Sequence, residues 1–324
     1  MSATIANLAP NADQLETLQS LSPEGTTVKW VDSTQSLEEQ AKQLEGISAV
    51  VVTPSEYPVE LAALTKDVRL VQTVSAGTNM IDKTALGELG IRVANNGGGN
   101  AIAVSEHTIT LMTSVYRKMQ LQFKSVQAGD WAGNIRSDWM SQAHEIAGKT
   151  VGIIGLGRIG SRVARRLQGW ECELLYSDIE PASPELEAEL HITRVSQQEL
   201  LERSDIVTLH VPLNRSTTKM ISDAEFDMMK PTAVLINACR GPVVDEAALI
   251  RAIEQKKIMS AGLDVTEVEP TPKDNPLLGF ENVLITPHLA AFAQESNERA
   301  RTFAVNNSTR VAMGQEPESI VLPD

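Results

Sequence analysis

The strongest constraint on the fold of this chain is a glycine pattern at the end of an apolar stretch. Residues 149–154 read as a strand, and Gly155, Gly157 and Gly160 follow at G-x-G-x-x-G spacing before a helical pattern begins. Gly155 permits a tight turn, Gly157 lets the backbone approach a pyrophosphate, and Gly160 lets the helix pack closely on the strand. The pattern therefore predicts the strand, turn and helix of a dinucleotide-binding unit.

An acidic residue farther along bears on the choice of dinucleotide. The apolar residues 173–176 lead to Asp178, which lies 18 residues after Gly160. A carboxylate at about this distance accepts hydrogen bonds from the adenosine ribose and repels a 2′-phosphate. Residues 179–181 supply no Lys or Arg that could bind such a phosphate. The sequence favours NAD over NADP, and a simple turn before Pro181 is the weaker interpretation of Asp178.

Length and charge limit the remaining possibilities. A chain of 324 residues exceeds the usual size of a single core, so we expect two domains. A net charge of -14 argues against general affinity for nucleic acid or an anionic membrane. The N-terminal residues show no leader pattern, which predicts a cytoplasmic protein. Cys172 and Cys239 form neither a disulfide framework nor a metal-binding pattern, so we expect two buried thiols and no metal.

Short apolar stretches alternate with helical patterns along most of the chain. This alternation predicts an α/β fold whose parallel sheets are covered on both faces. The predicted strands are 27–31, 47–52, 68–74, 204–210, 232–237, 260–264 and 282–286, and the predicted helices are 36–44, 59–64, 101–119, 223–229, 245–255 and 294–313.

Two loops in the first hundred residues carry glycines. Residues 75–79 follow a predicted strand, and their backbone N–H groups could hold a carboxylate. A turn that caps a helix starting at Asp82 is the better interpretation of that loop taken alone. Residues 95–100 include three consecutive glycines before a long helical pattern, which suggests a domain boundary that can bend.

Residues 121–148 have no clear periodicity but contain Trp131 and Trp139. Exposed aromatic side chains in such an extension often serve a subunit contact. Packing of both rings in the core is an equally good interpretation. The sequence alone leaves both open.

Polar residues stand at the ends of four predicted strands in the second half of the chain. These are His210, Asn237, Asp264 and, just beyond its strand, His288. Ligands of open parallel sheets bind outside the carboxyl ends of the strands. We therefore expect these side chains to converge on one crevice.

Three residue types near these strand ends suit hydride chemistry on a hydroxyl-bearing carbon. His288 is the candidate base that removes the hydroxyl proton, because histidine is the residue type whose ordinary pKa lies closest to neutrality. Glu269 could orient the imidazole and stabilise its protonated form, and Arg240 could bind a carboxylate and polarise a carbonyl oxygen. Each residue also has a structural interpretation: Arg240 could form a surface ion pair, Glu269 could be a solvated charge in a loop, and His288 could be a capping residue. Their placement at successive strand ends favours the chemical interpretation.

The chain resembles the D-isomer-specific 2-hydroxyacid dehydrogenases. The resemblance runs from residue 75 to residue 295 and is strongest over 148–290. It rests on an ordered set of motifs: the glycine turn, residues 210–213, Arg240-Gly241 with 244–246, Asp264-Val265 with Glu269-Pro270, and Thr286-Pro287-His288.

The resemblance implies a Rossmann-type cofactor domain, residues 99–290, inserted in a flavodoxin-like substrate domain made of residues 1–98 and 291–324. It implies that Arg240 binds the substrate carboxylate and carbonyl, and that His288 is the acid/base paired with Glu269. Further substrate-binding positions would be Ser75, Ala76, Gly77, Asn100 and Phe292. NAD-binding positions besides the glycines would be Val104, Arg158, Ile159, Asp178, His210, Val211, Pro212, Thr217, Ala238, Cys239, Arg240, Asp264, His288 and Ala290. A homodimer formed through the cofactor domain is also implied.

Departures from the family pattern concern specificity. Thr266 stands where the family often has an aromatic residue, Gly97 where it often has proline, and Ala291-Phe292-Ala293 where Gly-x-Thr is more usual. Phe292 could narrow the pocket or favour an apolar side group. Residues 53–58 lack a basic residue for a phosphorylated substrate. The expected substrates are small 2-oxo acids such as glyoxylate, hydroxypyruvate and pyruvate-like acids.

Two other functions remain open on the sequence. An NAD(H)-sensing regulatory protein could keep the same residues, although no low-complexity extension carries partner motifs. A formate dehydrogenase of this fold is disfavoured, because hydride transfer without a proton would not need Glu269 beside His288.

Overall fold

The computed structural model describes residues 2–131 and 142–323, which form two compact units. The first unit comprises Met1–Asn100 and Phe292–Asp324, and the second comprises Ala101–Ala291. Trp139 lies outside the described residues. In the described part of the chain, no helix is both long and apolar enough to cross a membrane.

The described residues of the first unit contain a parallel sheet of five strands. Its spatial order is β2-β1-β3-β4-β5, the doubly wound order of flavodoxin-like domains. The strands are β1 (Ala3–Ala9), β2 (Thr26–Asp32), β3 (Ala49–Val52), β4 (Leu70–Thr73) and β5 (Arg92–Ala94), and the helices before the crossing to the second unit are α1 (Leu15–Leu21), α2 (Leu37–Gln43), α3 (Val59–Leu64) and α4 (Lys83–Glu88).

The second unit has a parallel sheet of seven strands in its described residues. Its order, β12-β11-β10-β9-β6-β7-β8, has the reversal of a Rossmann fold between β6 and β9. The strands are β6 (Thr150–Ile154), β7 (Glu173–Ser177), β8 (Ile192–Arg194), β9 (Ile206–Leu209), β10 (Val234–Asn237), β11 (Ser260–Leu263) and β12 (Val283–Ile285). The helices are α5 (Ala101–Tyr116), α6 (Met119–Gln127), α7 (Gly160–Leu167), α8 (Pro184–Leu190), α9 (Gln197–Arg203), α10 (Asp223–Met228) and α11 (Glu246–Glu254).

Alternate strand residues enter different cores, so both faces of each sheet are covered. In β10, Leu235 packs in one cluster, whereas Val234 and Ile236 pack in another. In the first unit, Ala6 of β1 faces one cluster and Ile5 faces a second. The last helix, α12 (Gln294–Ala312), returns to the first unit and contributes Ala304, Val305 and Val311 to that second cluster.

The predicted α/β class with two doubly wound sheets is confirmed, although several elements were missed. Strands β1, β5 and β8 and helices α1, α6, α8 and α9 have no counterpart among the predictions. Helix α5 ends at Tyr116 instead of residue 119, because Lys118 adopts a left-handed conformation with φ 53° and α6 begins after it. The prediction for Cys172 was wrong: it is only partly buried, whereas Cys239 is buried.

Candidate active site

The glycine turn after β6 is built as its spacing predicted. Gly155 has φ 93°, and a Cβ there would lie 2.6 Å from the carbonyl oxygen of His210. A Cβ on Gly160, the first residue of α7, would lie 2.1 Å from the carbonyl oxygen of Gly155. A Cβ on Gly157 would meet no described atom within 4 Å. Protein backbone therefore closes the turn at two glycines and leaves the third open, which fits a dinucleotide phosphate at Gly157.

Asp178, just beyond β7, is held against this turn. Its Oδ2 accepts a hydrogen bond of 2.7 Å from the backbone N–H of Leu156. The guanidinium of Arg194, at the end of β8, donates to the carbonyl oxygen of Asp178 at 3.0 Å. The Asp178 carboxylate therefore lies against the glycine turn, and its role as a ribose-binding residue stays a prediction. Arg194 is a neighbouring cation that the sequence patterns did not reveal.

The segment after β9 holds several predicted cofactor-binding residues. The hydroxyl of Thr217 donates to the carbonyl oxygen of Pro212 at 2.6 Å, which closes the loop that follows Val211. The Nε2 atom of His210 lies 3.0 Å from the Thr208 hydroxyl, and its Nδ1 is buried with no hydrogen-bond partner in the described chain. Burial lowers the pKa of His210 to about 3, so this imidazole is neutral.

Arg240 follows β10 and precedes a 3₁₀ turn, Gly241–Val243. The Asn237 amide organises this segment, since it donates to the carbonyl oxygen of Arg240 at 3.0 Å and accepts from the N–H of Cys239 at 3.1 Å. The guanidinium donates to the carbonyl oxygen of Cys239 at 2.6 Å. Burial raises the pKa of the Cys239 thiol to about 11, so the thiol beside Arg240 is neutral.

Asp264, just beyond β11, is a buried hub. Its Oδ1 accepts from the Thr286 hydroxyl at 2.6 Å and from the N–H of Leu289 at 3.1 Å, and its Oδ2 accepts from the N–H of Ala290 at 2.8 Å. The His107 ring on α5 approaches Oδ1 at 3.4 Å. Burial opposes the charge, but these hydrogen bonds outweigh it, and the pKa of Asp264 lies below its ordinary value.

His288 and Glu269 form a direct pair. The Nδ1 atom of His288 lies 2.6 Å from Oε2 of Glu269, and Oε1 of Glu269 accepts from the N–H of Thr266 at 3.1 Å. His288 has φ 54°, and its backbone N–H donates to the carbonyl oxygen of Asp264 at 2.8 Å. Its Nε2 has no hydrogen-bond partner within residues 2–131 and 142–323. Both side chains line a cavity of about 600 Å³ with Asp264, Thr266, Pro270, Thr271, Thr286 and Pro287.

Three of the four predicted strand-end residues, Asn237, Asp264 and His288, are linked by backbone hydrogen bonds. Asp264 donates its N–H to the carbonyl oxygen of Asn237 at 2.8 Å and accepts from His288, so three successive strand ends are bonded in series. Val104, another predicted cofactor position, lies on α5 and is buried in a hydrophobic cluster. Of the other predicted cofactor positions, Arg158 is exposed, Ile159 half-buried, and Ala238 and Ala290 buried.

Sequence reasoning missed the histidine on α5. The Nε2 atom of His107 lies 2.9 Å from the Thr286 hydroxyl, within the same cluster as Asp264. A signal was present, since His107 stands three residues after Val104 and four before Leu111, both of which are buried. A polar residue on the buried face of a helix needs a partner there.

The remaining candidates lie in the first unit, and three of them, Ser75, Ala76 and Gly77, are in the loop after β4. The Ser75 hydroxyl donates to the carbonyl oxygen of Gly77 at 2.6 Å, and the Asn95 amide donates to that of Ala76 at 3.4 Å. The N–H groups of Ala76 and Gly77 find no acceptor among the residues that the structure describes. Phe292 is 69% exposed, and Asn100 is the last residue of the unit's first segment.

The reversed parallel sheet, the open glycine turn and the carboxylate beside it define an NAD-binding Rossmann unit. A family model described as "D-isomer specific 2-hydroxyacid dehydrogenase, NAD binding domain" matches residues 109–290. The chain belongs to the D-isomer-specific 2-hydroxyacid dehydrogenase family and is an NAD-dependent oxidoreductase.

Similar proteins cover most of the chain. A glyoxylate reductase from Thermofilum pendens is 34% identical over 90% of this chain and 85% of its own length. A D-3-phosphoglycerate dehydrogenase from Archaeoglobus fulgidus is 36% identical over 88% of this chain, which spans only 53% of that relative. The crystal structure of apo D-mandelate dehydrogenase from Rhodotorula graminis is 28% identical, with a TM-score of 0.88 and full coverage of both chains.

Proposed function

We propose that this protein interconverts a small D-2-hydroxy acid and its 2-oxo acid, with glyoxylate, hydroxypyruvate and pyruvate-like acids as candidate substrates. The observation that supports it most is the 2.6 Å contact between Nδ1 of His288 and Oε2 of Glu269, with Nε2 left available for a substrate. Several relatives named glyoxylate reductase agree with this class of substrate.

In this proposal His288 is the acid/base. Because Glu269 accepts a hydrogen bond at Nδ1, the Nδ1 proton is fixed and Nε2 is the atom that exchanges a proton with the substrate. In the reductive direction, protonated Nε2 donates to the carbonyl oxygen. In the oxidative direction, neutral Nε2 accepts the hydroxyl proton. When bound, the oxidised cofactor would be the hydride acceptor for oxidation, and the reduced cofactor would be the hydride donor for reduction.

Arg240 is proposed to bind the carboxylate and to polarise the carbonyl oxygen. The Asn237 amide fixes the backbone on both sides of Cys239, so the guanidinium extends from a rigid segment. An arginine can make two parallel hydrogen bonds to a carboxylate, which a lysine cannot.

In the first unit, Ala76 and Gly77 are proposed to donate their N–H groups to a carboxylate. The hydroxyl of Ser75 and the amide of Asn95 bond the carbonyl oxygens of this loop. The carbonyl oxygens of Ala76 and Gly77 therefore already accept hydrogen bonds within the protein, whereas the N–H groups of these two residues can donate to an anion. Ser75 shapes this loop, and Asn100 and Phe292 remain proposed substrate contacts.

The charge of the first unit's loops bears on phosphorylated substrates. Residues 53–58, which follow β3, contain Glu56 and no lysine or arginine. The Ser55 hydroxyl lies 2.8 Å from that of Ser75. A phosphate needs cationic donors, so we propose substrates without a phosphate, although one relative is named a D-3-phosphoglycerate dehydrogenase.

We further propose a homodimer formed through the second unit. Phe123 and Val126 on α6 are 62% and 56% exposed, and Trp131 is 88% exposed. Apolar side chains this exposed in one stretch favour a surface that a partner covers. Sedimentation equilibrium tests the oligomeric state. Localisation in the cytoplasm stays a prediction.

The substrate assignment is tested by following NADH oxidation with a panel of 2-oxo acids. We expect turnover with at least one small acid, and we expect His288→Ala to lower kcat by about 10³-fold while NADH binding is nearly unchanged. His191→Ala is the matched control, since His191 is exposed at the end of α8. Tight NADH binding without turnover of any acid would contradict the proposal and favour a sensor.

A further inference from the structure

The His107 side chain reaches the proposed catalytic turn from a distant helix. Its Nε2 atom lies 2.9 Å from the Thr286 hydroxyl, and the two residues are 179 positions apart in the chain. It also lies 3.4 Å from Oδ1 of Asp264, and its side chain is 23% exposed. The contact joins α5, where His107 stands, to the segment that follows β12.

The hydrogen-bond direction in this cluster follows from the chemistry of its members. Asp264 is a carboxylate, because its pKa lies below the ordinary value, and it can only accept hydrogen bonds. The single proton of the Thr286 hydroxyl therefore points to Asp264, at 2.6 Å. The hydroxyl oxygen must then accept from His107, which places the ring proton on Nε2.

Asp264 in turn holds the backbone of the turn that carries His288. Its carboxylate accepts from the N–H groups of Leu289 and Ala290, and its carbonyl oxygen accepts from the N–H of His288. His288 needs this support, because its φ of 54° is unfavourable for a residue with a side chain. A shift of this turn would move the imidazole away from Glu269.

We propose that His107 is a positioning residue that anchors the His288 turn to α5 through Thr286 and Asp264. The inference rests on the proposed function, since it assigns His107 a role in placing the proposed acid/base. The Asp264 carboxylate accepts from two backbone N–H groups and from the Thr286 hydroxyl, and His107 contacts both that hydroxyl, at 2.9 Å, and Oδ1 of the carboxylate, at 3.4 Å. Loss of the Nε2 donor frees the hydroxyl to rotate and loosens the turn.

Two substitutions at His107 separate hydrogen bonding from simple packing. In His107→Gln the amide nitrogen stands close to the position of Nε2 and can still donate to Thr286. In His107→Asn the amide nitrogen stands near Nδ1 and falls short of the hydroxyl. Both side chains are neutral amides, so the pair differs mainly in reach. His191→Asn at the exposed end of α8 is the control for histidine replacement.

Two measurements report on the variants. Hydrogen exchange of the peptide that contains residues 286–291 reports on the N–H groups bound to Asp264, and steady-state kinetics separate kcat from the KM for NADH. We expect His107→Asn to speed exchange in this peptide by about tenfold and to lower kcat by about tenfold with an unchanged KM for NADH. We expect His107→Gln to stay within about threefold of the parent in both.

A second pair reaches the same contact from the other side. Thr286→Ser keeps the hydroxyl and is expected to behave like His107→Gln, whereas Thr286→Val removes it and is expected to behave like His107→Asn. This pair decides the matter if His107→Asn does not fold. The proposal is overturned if His107→Asn and Thr286→Val exchange and turn over like the parent, or if His107→Gln is as impaired as His107→Asn.

The exchange measurement needs no substrate. If the parent protein reduces none of the 2-oxo acids, the proposed function fails, while exchange in residues 286–291 still decides whether His107 anchors the turn. If the parent is active and exchange is unchanged in His107→Asn, only the inference about His107 fails.

Discussion

Gly241 lies so close to Thr266 that a Cβ on the glycine would stand 1.8 Å from the threonine's carbonyl oxygen. The contact joins the segment of Arg240 to the segment of Glu269, because the N–H of Thr266 also donates to Oε1 of Glu269. No side chain fits between the two backbones. Direct backbone packing therefore sets the spacing of these two proposed catalytic segments.

Gly241→Ala should force the two segments apart. Since misplacement of a catalytic group by about 1 Å can cost about 10²-fold in rate, we expect kcat/KM for the 2-oxo acid to fall by about that factor. Gly279→Ala is the control, because a Cβ there meets no described atom within 4 Å. Steady-state NADH oxidation checks both variants. Parent-like activity in Gly241→Ala would show that the spacing of Gly241 and Thr266 can change without loss of activity.

Glu269→Gln should preserve the shape of the pair with His288 and remove its charge. His288 is an imidazolium after it accepts the proton in oxidation and before it donates the proton in reduction. Without the Glu269 carboxylate this cation has no counter-charge, so we expect kcat to fall by about 10²-fold. Glu254→Gln, an exposed position on α11, is the matched control. Equal kcat values in the two variants would remove Glu269 from the mechanism.

Asp178→Asn should weaken the discrimination against NADPH. The variant keeps an oxygen to accept from the N–H of Leu156, removes the repulsion of a 2′-phosphate, and leaves Arg194 close by. A charge-assisted hydrogen bond corresponds to about tenfold in affinity, so we expect NADPH to bind about tenfold more tightly. Fluorescence titration measures this. The gain should vanish in Asp178→Asn with Arg194→Ala, and its persistence there would exclude Arg194 as the phosphate ligand.

Gly157→Ala should affect the cofactor and spare the fold. A methyl group at this position meets no described atom within 4 Å, so the melting temperature should stay within a degree or two. The methyl group occupies the space for the pyrophosphate, and we expect the Kd for NADH to rise about tenfold or more. Calorimetric titration measures the Kd for NADH, and thermal unfolding measures the melting temperature. Unchanged NADH binding in Gly157→Ala would place the pyrophosphate elsewhere.

The buried Cys239 thiol should make stability depend on pH in the alkaline range. Burial raises its pKa from 9.0 to about 11, so the folded protein keeps this proton where the unfolded chain releases it. The unfolded state therefore binds fewer protons between pH 9 and 11, and this thiol lowers the free energy of unfolding by about 2 kcal/mol as the pH rises through that window.

Cys239→Ala should lose this contribution. Urea unfolding at pH 8 and pH 10.5 measures it: the free energy of unfolding should fall less with pH in the variant than in the parent. Cys172→Ala is the comparison, since Cys172 is only partly buried and should change the pH dependence less. An identical pH dependence in Cys239→Ala and the parent would show that the thiol ionises normally in the folded protein.

The sequence predicted those parts of the fold and site that rest on local patterns. The glycine spacing located the turn at Gly155, and polar residues at strand ends identified Asn237, Asp264 and His288 as neighbours. Parallel sheets make that second inference possible, since their carboxyl ends share one edge. The roles of Arg240, Glu269 and His288 stay predictions until the variants are measured.

What the sequence could not predict depends on short elements or distant partners. Strands β5 and β8 have three residues each, too few for a period of two to register. Because β8 was not predicted, the contact of Arg194 with Asp178, 16 positions earlier, could not be predicted either. The contact of His107 spans 179 positions and requires knowledge of how α5 packs across β11 and β12.

The return of α12 to the first unit has a consequence for synthesis on the ribosome. Strand β1 buries Ile5 against Ala304 and Val305, which are translated some 300 residues later. The N-terminal sheet emerges from the ribosome first, but one of its faces stays uncovered until α12 has been translated. The second unit is one continuous segment, so it can complete its core before the first unit does. We therefore expect the second unit to finish folding first, and the N-terminal strands to be the segment that chaperones bind longest.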